Sequence, residues 1–372
     1  MLAAIGGVVQ QARSQRGWPV SRLATEAGIS IDVVEALELG RPGVTTVQLA
    51  AIARALAIDV RALRKGLQVA RAAPSVYLRH RNLQDFHDSD CALLDEAVEH
   101  AHRLKELSAL VATPSNPWTG RPVAAPHDRS DAAARHGYQL ATEVRKHLNE
   151  PARPFEDLRH VVEARLGVVV LIRPLSSRVA CAVKTGDAAA IVLDASTYAD
   201  RPVRAQGAIA HELSHLLHDP AEEGVHVVLD REHDRSADAN EQRARAHAAE
   251  MLLPRPGLQG LLGLPRAIGE TDAAIQLVAR AMDHFGTSWE LTANHLCNRG
   301  FIVRDLRVWL ESAHAHPAPA TWTLRLPAAG APSLLLAELT RRAHQEGLVT
   351  DGEARALLGL QTLDRLPWDL ER

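Results

Sequence analysis

Residues 208–220 of this chain have the sequence AIAHELSHLLHDP, and this stretch decides the prediction of fold and chemistry. Within it, residues 211–215 form the pattern His-Glu-x-x-His. Side chains four residues apart lie on the same face of a helix, so His211 and His215 can present two imidazole nitrogens to one Zn²⁺ ion. Glu212 is then close enough to a metal-bound water to accept its proton. The flanking apolar residues predict that this helix is buried: Ile209, Leu213, Leu216 and Leu217.

A third protein ligand is required, because catalytic zinc keeps three protein ligands and one open position. Residues 241–254, EQRARAHAAEMLLP, predict a second helix with small residues for close packing, and Glu241 at its start is the preferred third ligand. His218 is an alternative, since it extends the motif to HExxHxxH. Glu250 is expected to pack against neighbours rather than to bind metal. Further alternatives lie between the two helices: His226, His233, Asp234 and Asp238.

Composition and charge exclude several classes of protein. The chain has 372 residues, of which 46% are hydrophobic and 23% charged, as in folded globular proteins rather than disordered ones. Its longest apolar run, residues 1–9, is far shorter than a membrane span, and no basic leader precedes it, so we expect no signal peptide and a cytoplasmic location. The net charge of −3 argues against a protein whose whole surface is basic and binds nucleic acid. The three cysteines form no CxxC pair, and the chain contains no P-loop, GxSxG or dinucleotide fingerprint.

The N-terminal region, residues 1–66, predicts a compact bundle of short helices. Residues 21–37, SRLATEAGISIDVVEAL, have helix-turn-helix spacing, with Ala24 where two helices cross and Gly28 in the turn. Residues 1–72 carry nine Lys or Arg against five acids, which gives this region a positive balance. The predicted recognition helix nevertheless carries acids and no donor suited to reading bases, so DNA binding and protein docking both stay open. Its acids are Asp32, Glu35 and Glu38.

Three further regions follow along the chain. Residues 67–131 are expected to be a helical connector, with a helix at 89–110, and a Pro-rich linker. Residues 132–256 mix helices with a small, mixed sheet, and residues 257–372 are mainly helical. Within 132–256 the pattern predicts helices at 132–148 and 155–166, a strand at 168–172, and a hairpin of strands 178–184 and 189–194. Within 257–372 it predicts helical groups at 273–296 and 333–360, and residues 346–360 are expected to form a helical packing hairpin.

Residues 132–256 resemble the ImmA/IrrE-type zinc metallopeptidases. The resemblance is carried by the lead-in IVLDASTYADRPVRAQGAIA, the helix HELSHLLH and the pattern E-x-x-A-x-x-x-A-A-E-x-L-L-P. It implies zinc held by His211, His215 and Glu241, with Glu212 as the catalytic base. Residues 5–63 resemble an XRE-type helix-turn-helix domain of the phage-repressor class, which proteins of this family often carry. The implied fold is α+β and multidomain: an all-α helix-turn-helix bundle, a zincin-like core of helices and a small sheet, and a mainly helical C-terminal region.

The resemblance also implies a function. It indicates a regulatory endopeptidase that cleaves a helix-turn-helix transcriptional repressor and so switches on stress, phage or mobile-element genes. Three positions depart from the family pattern: Arg245 replaces the usual Asn, His247 an aromatic residue, and Ser214 a Gly. An extended substrate could add as a strand to the predicted sheet of residues 168–194.

Two rival hypotheses remain. One is a transcriptional regulator whose peptidase-like domain acts as a sensor without proteolysis, and the other is a zinc protein without hydrolytic activity. The intact Glu212 favours the enzyme, because a sensor has no need of that base.

Overall fold

The computed structural model describes residues 2–16, 18–41, 43–56, 76–78, 88–111, 130–176, 180–185, 188–198, 201–219, 225–229, 239–263, 267–312, 326, 328–360 and 364–369. The chain divides into two compact units, residues 1–75 and residues 76–372. The described residues form mostly helices, together with a single five-stranded sheet in the second unit. No helix among them is both long and apolar enough to cross a membrane.

The first unit is a helical bundle with a tight turn at its centre. Gly28 ends one helix with φ 64° and ψ 35°, a left-handed conformation that glycine adopts without steric cost. A capping box of Thr45 and Gln48 begins the last helix. The helices are α1 (Leu2–Gln15), α2 (Val20–Ala27), α3 (Ile31–Glu38) and α4 (Thr46–Ala55). Their shared core includes Leu23, Val34, Leu37 and Ile52, so the apolar residues of the helix-turn-helix pattern face inward.

The sheet of the second unit is mixed. Its strands are β1 (Val76–Leu78), β2 (Val168–Arg173), β3 (Ala180–Thr185), β4 (Ala188–Asp194) and β5 (Val225–Leu229). Their order across the sheet is β1-β5-β3-β4-β2. β3 pairs antiparallel with β4, as the predicted hairpin requires, and also with β5, whereas β2 pairs parallel with β4 and β1 parallel with β5.

One face of the sheet is covered by α5 (Asp88–Leu110) and α15 (Leu334–Gln345). Leu94 and Leu104 of α5 and Leu336 of α15 share a core with Val169 and Leu171 of β2. Residues 67–131 were expected to be a connector, yet their helix forms a layer of the second unit. The physical reason is that the apolar stripe of α5 meets the alternate residues of a fully buried strand.

The opposite face of the sheet carries four helices, α6 (Ser130–His147), α7 (Leu158–Leu166), α9 (Pro202–His218) and α10 (Ala239–Leu252). Val168 and Val170 of β2, which alternate with the residues of the other face, share their core with Ile209 and Leu213 of α9 and Met251 of α10. α7 begins at Leu158, later than the predicted residue 155, because the Asp157 side chain accepts a hydrogen bond from the His160 amide at 2.9 Å and caps the helix. Both helices predicted to bind zinc therefore lie in one layer.

The remaining helices are α8 (Ala195–Tyr198), α11 (Arg255–Leu262), α12 (Thr271–Phe285), α13 (Trp289–Asn298), α14 (Arg307–Ser312) and α16 (Asp351–Leu357). The predicted helical group 273–296 consists of two helices. Gly286 ends α12 with φ 64°, and the Ser288 side chain caps the start of α13. α11, α12 and α13 share a core of their own that includes Leu258, Val278, Phe285 and Leu296.

Candidate metal centre

The motif helix α9 is an interior helix. It begins with Pro202 at its first position, where a missing N–H costs nothing, and every residue from Ala208 to His218 is buried. His211 and His215 keep only 6% and 2% of their surface exposed, and Glu212 keeps none. Buried polar side chains of this kind require partners, so their environment on α10 and the sheet decides what they can do.

Glu241, near the start of α10, lies against both histidines. The His211 Nε2 and His215 Nε2 atoms are 3.2 Å apart. Glu241 Oε2 is 3.3 Å from His211 Nε2, and Glu241 Oε1 is 3.4 Å from His215 Nε2. The structure thus brings together the three side chains that the sequence analysis favoured as ligands, and they are the metal-ligand cluster found among the described residues.

The spacing of these atoms fits tetrahedral zinc. Zinc bonds of about 2.0–2.1 Å to nitrogen or oxygen, arranged tetrahedrally, place neighbouring ligand atoms about 3.3 Å apart. The separation of the two histidine Nε2 atoms, and the distance from each of them to its nearer Glu241 oxygen, lie within 0.1 Å of that value; the two Glu241 distances start at different oxygens. Two imidazoles and one carboxylate are also a donor set that zinc accepts in hydrolytic enzymes. The residues therefore suit a zinc ion.

The charge state of Glu241 suits a ligand. Burial by itself would raise the pKa of this carboxyl. The hydrogen bond with His211 and the positive charges of His215, His211 and Arg245 outweigh burial and lower the pKa to about 2. Glu241 is consequently a carboxylate at neutral pH, the form that binds metal.

Two residues that the sequence analysis did not single out support the cluster: Asp219 contacts His215, and Arg243 contacts Asp219. His215 Nδ1 lies 2.9 Å from Asp219 Oδ2, and Arg243 donates a hydrogen bond to Asp219 Oδ1. A sequence signal for Asp219 exists, since it follows His215 by four residues and so lies on the same helix face. Arg243 has no such signal, because its buried position beside Asp219 depends on how α10 packs against α9.

The alternative ligands fall into two groups. His218 is buried and its ring makes an edge-on contact with His247, with ring centroids 5.3 Å apart, outside the cluster. Burial lowers the pKa of His247 well below its ordinary value. His233, Asp234 and Asp238 lie outside the described residues, as does the His226 side chain.

Glu250 lies away from the cluster and packs within the helical layer. It accepts a hydrogen bond from the Arg255 amide at 2.8 Å and lies 3.3 Å from Arg299. Of the departures from the family pattern, Arg245 is exposed, and Ser214 is completely buried in α9.

The outer edge of the strands within 168–194 is partly occupied by other described residues. β3 and β4 each have two neighbours in the sheet, and β2 is the outermost strand. The free edge of β2 is already bonded: the Val170 amide donates to Glu163 Oε1 at 3.1 Å, and the Ile172 carbonyl accepts from the Gly330 amide at 3.1 Å. Two of the backbone groups that an added peptide strand would need are therefore occupied, one by a helix side chain and one by the C-terminal region, and this disfavours strand addition to β2.

Comparison with known proteins gives a family match that covers the region of the site. Residues 164–296 match the family model described as Peptidase_M78, IrrE N-terminal-like domain. The match includes the whole of α9 and α10 and supports a peptidase domain of the ImmA/IrrE type, from a zinc-associated family. It does not extend to the first unit. Comparisons with curated proteins and with solved structures found no significant match.

Proposed function

We propose that this protein is a zinc-dependent endopeptidase with a regulatory task, whose substrate is a helix-turn-helix transcriptional repressor. The observation that carries the proposal is the convergence of His211, His215 and Glu241: the two histidine Nε2 atoms lie 3.2 Å apart, and each lies 3.3 or 3.4 Å from one of the two Glu241 carboxylate oxygens. Glu212 follows His211 on the same buried helix. A site that only stores metal does not require this additional carboxylate.

The chain's own residues would divide the reaction between them. His211, His215 and Glu241 would hold the zinc ion, which when bound lowers the pKa of a water molecule and polarises a carbonyl group. Glu212 would accept the proton of the attacking water and return it to the nitrogen of the leaving amine. The complete burial of Glu212 limits competing water around this carboxylate. No side chain forms a covalent bond with the substrate in this scheme.

The N-terminal unit would bring the peptidase to its target as an XRE-type helix-turn-helix module. α2, the Gly28 turn and α3 support this assignment. Glu38 of α3 is bonded to Arg13 at 2.6 Å and belongs to the bundle, whereas Asp32 and Glu35 are exposed. These two charges repel phosphates, which suits a protein target better than DNA. A mobility-shift assay that shows salt-sensitive binding to a DNA fragment would contradict this part of the proposal.

The decisive experiment combines metal content with cleavage. Wild type, Glu212→Gln and His215→Ala are purified for elemental analysis, and each is co-expressed with the repressor encoded by the neighbouring gene. We expect about one zinc in wild type and in Glu212→Gln, loss of zinc in His215→Ala, and cleavage by wild type alone. His284→Ala, which removes an exposed histidine of α12, is the matched control and should behave as wild type.

The opposite results would favour the rival functions. Cellular activity in Glu212→Gln equal to that of wild type would indicate a sensor or regulator without proteolysis. Absence of zinc from wild type would remove the metallopeptidase proposal altogether.

A further inference from the structure

A buried ion pair joins the two helices that carry the candidate zinc ligands. Asp219 directly follows the last residue of α9, and Arg243 lies two residues after Glu241 in α10. Arg243 is completely buried and Asp219 is 5% exposed. Their hydrogen bond closes a loop of contacts that runs from His215 to Asp219, across to Arg243, along α10 to Glu241, and back to His215.

Both carboxylate oxygens of Asp219 have a defined partner. Oδ1 accepts from Arg243, and Oδ2 faces His215 Nδ1 at 2.9 Å. When Nδ1 carries the proton and donates it to Asp219, the lone pair of Nε2 is available to bind a metal. Nε2 is the atom that faces His211 and Glu241. The hydrogen bond from Arg243 fixes the orientation of Asp219, and Asp219 in turn compensates the guanidinium, which would otherwise be a buried charge without a partner at this position.

We propose that Arg243 and Asp219 are positioning residues that hold His215 and Glu241 at metal-binding separation. The proposal rests on the zinc site of the proposed function and adds the contacts that hold two of its ligands in place. Neither residue belongs to the candidate ligand set itself. Asp219 acts through the His215 ring, and Arg243 acts through Asp219 and through the position of α10.

The test is zinc affinity, measured on the full chain by competition with a chromophoric chelator. Arg243→Met keeps an unbranched apolar stem but removes the guanidinium group with its charge, and we expect affinity to fall by about 10- to 100-fold. Arg243→Lys should recover part of the loss. Asp219→Asn should weaken binding over a similar range. The double variant Arg243→Met/Asp219→Asn should be much less impaired than the sum of the two single effects, because the residues act as one unit.

A matched control separates positioning from general stability. Arg173 is also buried, but it bonds to Glu96 and to the carbonyl groups of Ile172 and Ala331, away from the metal-binding helices. Arg173→Met should lower Tm with little effect on zinc affinity. The absorption spectrum of the Co²⁺-substituted protein is a second measure, since a shifted ligand changes the visible bands. These bands should change in Arg243→Met and stay unchanged in Arg173→Met.

Two outcomes would overturn the proposal. Suppose that Arg243→Met has a lower Tm, as Arg173→Met does, but binds zinc and Co²⁺ as wild type does. The Arg243–Asp219 pair then contributes to stability only. If Arg243→Met does not fold, the nearly isosteric Asp219→Asn decides, and wild-type zinc affinity in that variant overturns the proposal. Failure of the proposed function has a different signature, because wild type itself would then bind no zinc or cleave nothing.

Discussion

Gly137 of α6 lies directly against the main-chain carbonyl of Arg243 on α10. A Cβ atom at position 137 would lie 2.9 Å from the Ala246 Cβ and 2.9 Å from the His247 amide nitrogen, and closer still to the Arg243 oxygen. Side chains do not tolerate such separations, so the approach of the two helices requires glycine here. The position of α10, the helix that carries Glu241, therefore depends on this close contact with α6.

Replacing Gly137 with alanine should disturb both stability and metal binding. α10 must move away from α6 in Gly137→Ala, and overpacking of this kind costs about 1–3 kcal/mol of unfolding free energy. Because Arg243 and Glu241 move with α10, zinc affinity should fall as well. Gly207→Ala in α9 is the control, since a Cβ there has no atom within 4 Å, and it should be neutral or stabilising by about 0.5–1 kcal/mol. Urea unfolding and chelator competition measure the two effects, and equal behaviour of the variants would contradict the prediction.

The third zinc ligand can be identified by substitution. Glu241→Ala should lose zinc, because it removes the oxygen atoms that lie 3.3 and 3.4 Å from the two histidine nitrogens. His218→Gln should retain about one zinc per chain, since His218 packs against His247 instead. Elemental analysis of dialysed protein gives the answer. Loss of zinc from His218→Gln with retention in Glu241→Ala would show that the ligand set is wrong.

Helix α15, in the C-terminal region, should contribute strongly to the stability of the second unit. Leu336 is completely buried in the core that α15 shares with α5 and the sheet. Leu336→Ala removes that packing and should lower the unfolding free energy by about 2–5 kcal/mol. Leu348→Ala is the matched control, because Leu348 is 44% exposed, and its effect should stay under about 1 kcal/mol. Similar losses in the two variants, measured by urea unfolding, would contradict the assigned packing of α15.

His100 of α5 should make stability depend on pH. Burial, with the positive charges of Arg103 and Arg173, outweighs the opposing charge of Glu96 and lowers the pKa of His100 to about 4. The unfolded chain, with a histidine pKa of about 6.5, therefore binds more protons than the folded chain between pH 4 and 6.5. The stabilising contribution is complete above pH 6.5 and is lost as the pH falls towards 4.

The corresponding measurement is the unfolding free energy at pH 7 and pH 5, with a chelator present to separate metal loss. Wild type should lose on the order of 2 kcal/mol more than His100→Gln over this interval, as a consequence of the pKa difference. The exposed residue His284 serves as the control, and His284→Gln should follow wild type. If His100→Gln loses as much stability as wild type, His100 does not titrate as described.

The sequence located most elements of the second unit because each depends on local pattern. The apolar periodicity around residues 211–215 marks α9, and the Thr185–Asp187 turn signal marks the β3–β4 hairpin. The break at Gly286, between α12 and α13, was missed, although a glycine beside a helix-capping serine is a readable signal. β2 is an edge strand of the sheet, but Glu163 and Gly330 bond to two of its backbone groups, and this could not be predicted because the two residues belong to elements that sequence spacing does not connect to β2.

By itself, the sequence determined the residue types on which the proposed chemistry depends. Helical spacing places His211 and His215 on one face, and the residue types in the motif select zinc and a carboxylate base. Only the tertiary structure decided that Glu241 joins them, that Arg243 meets Asp219, and that α5 and α15 complete the layers of the sheet. The reason is physical: spacing within a helix is fixed by local backbone geometry, whereas contacts between helices depend on which apolar faces pack together.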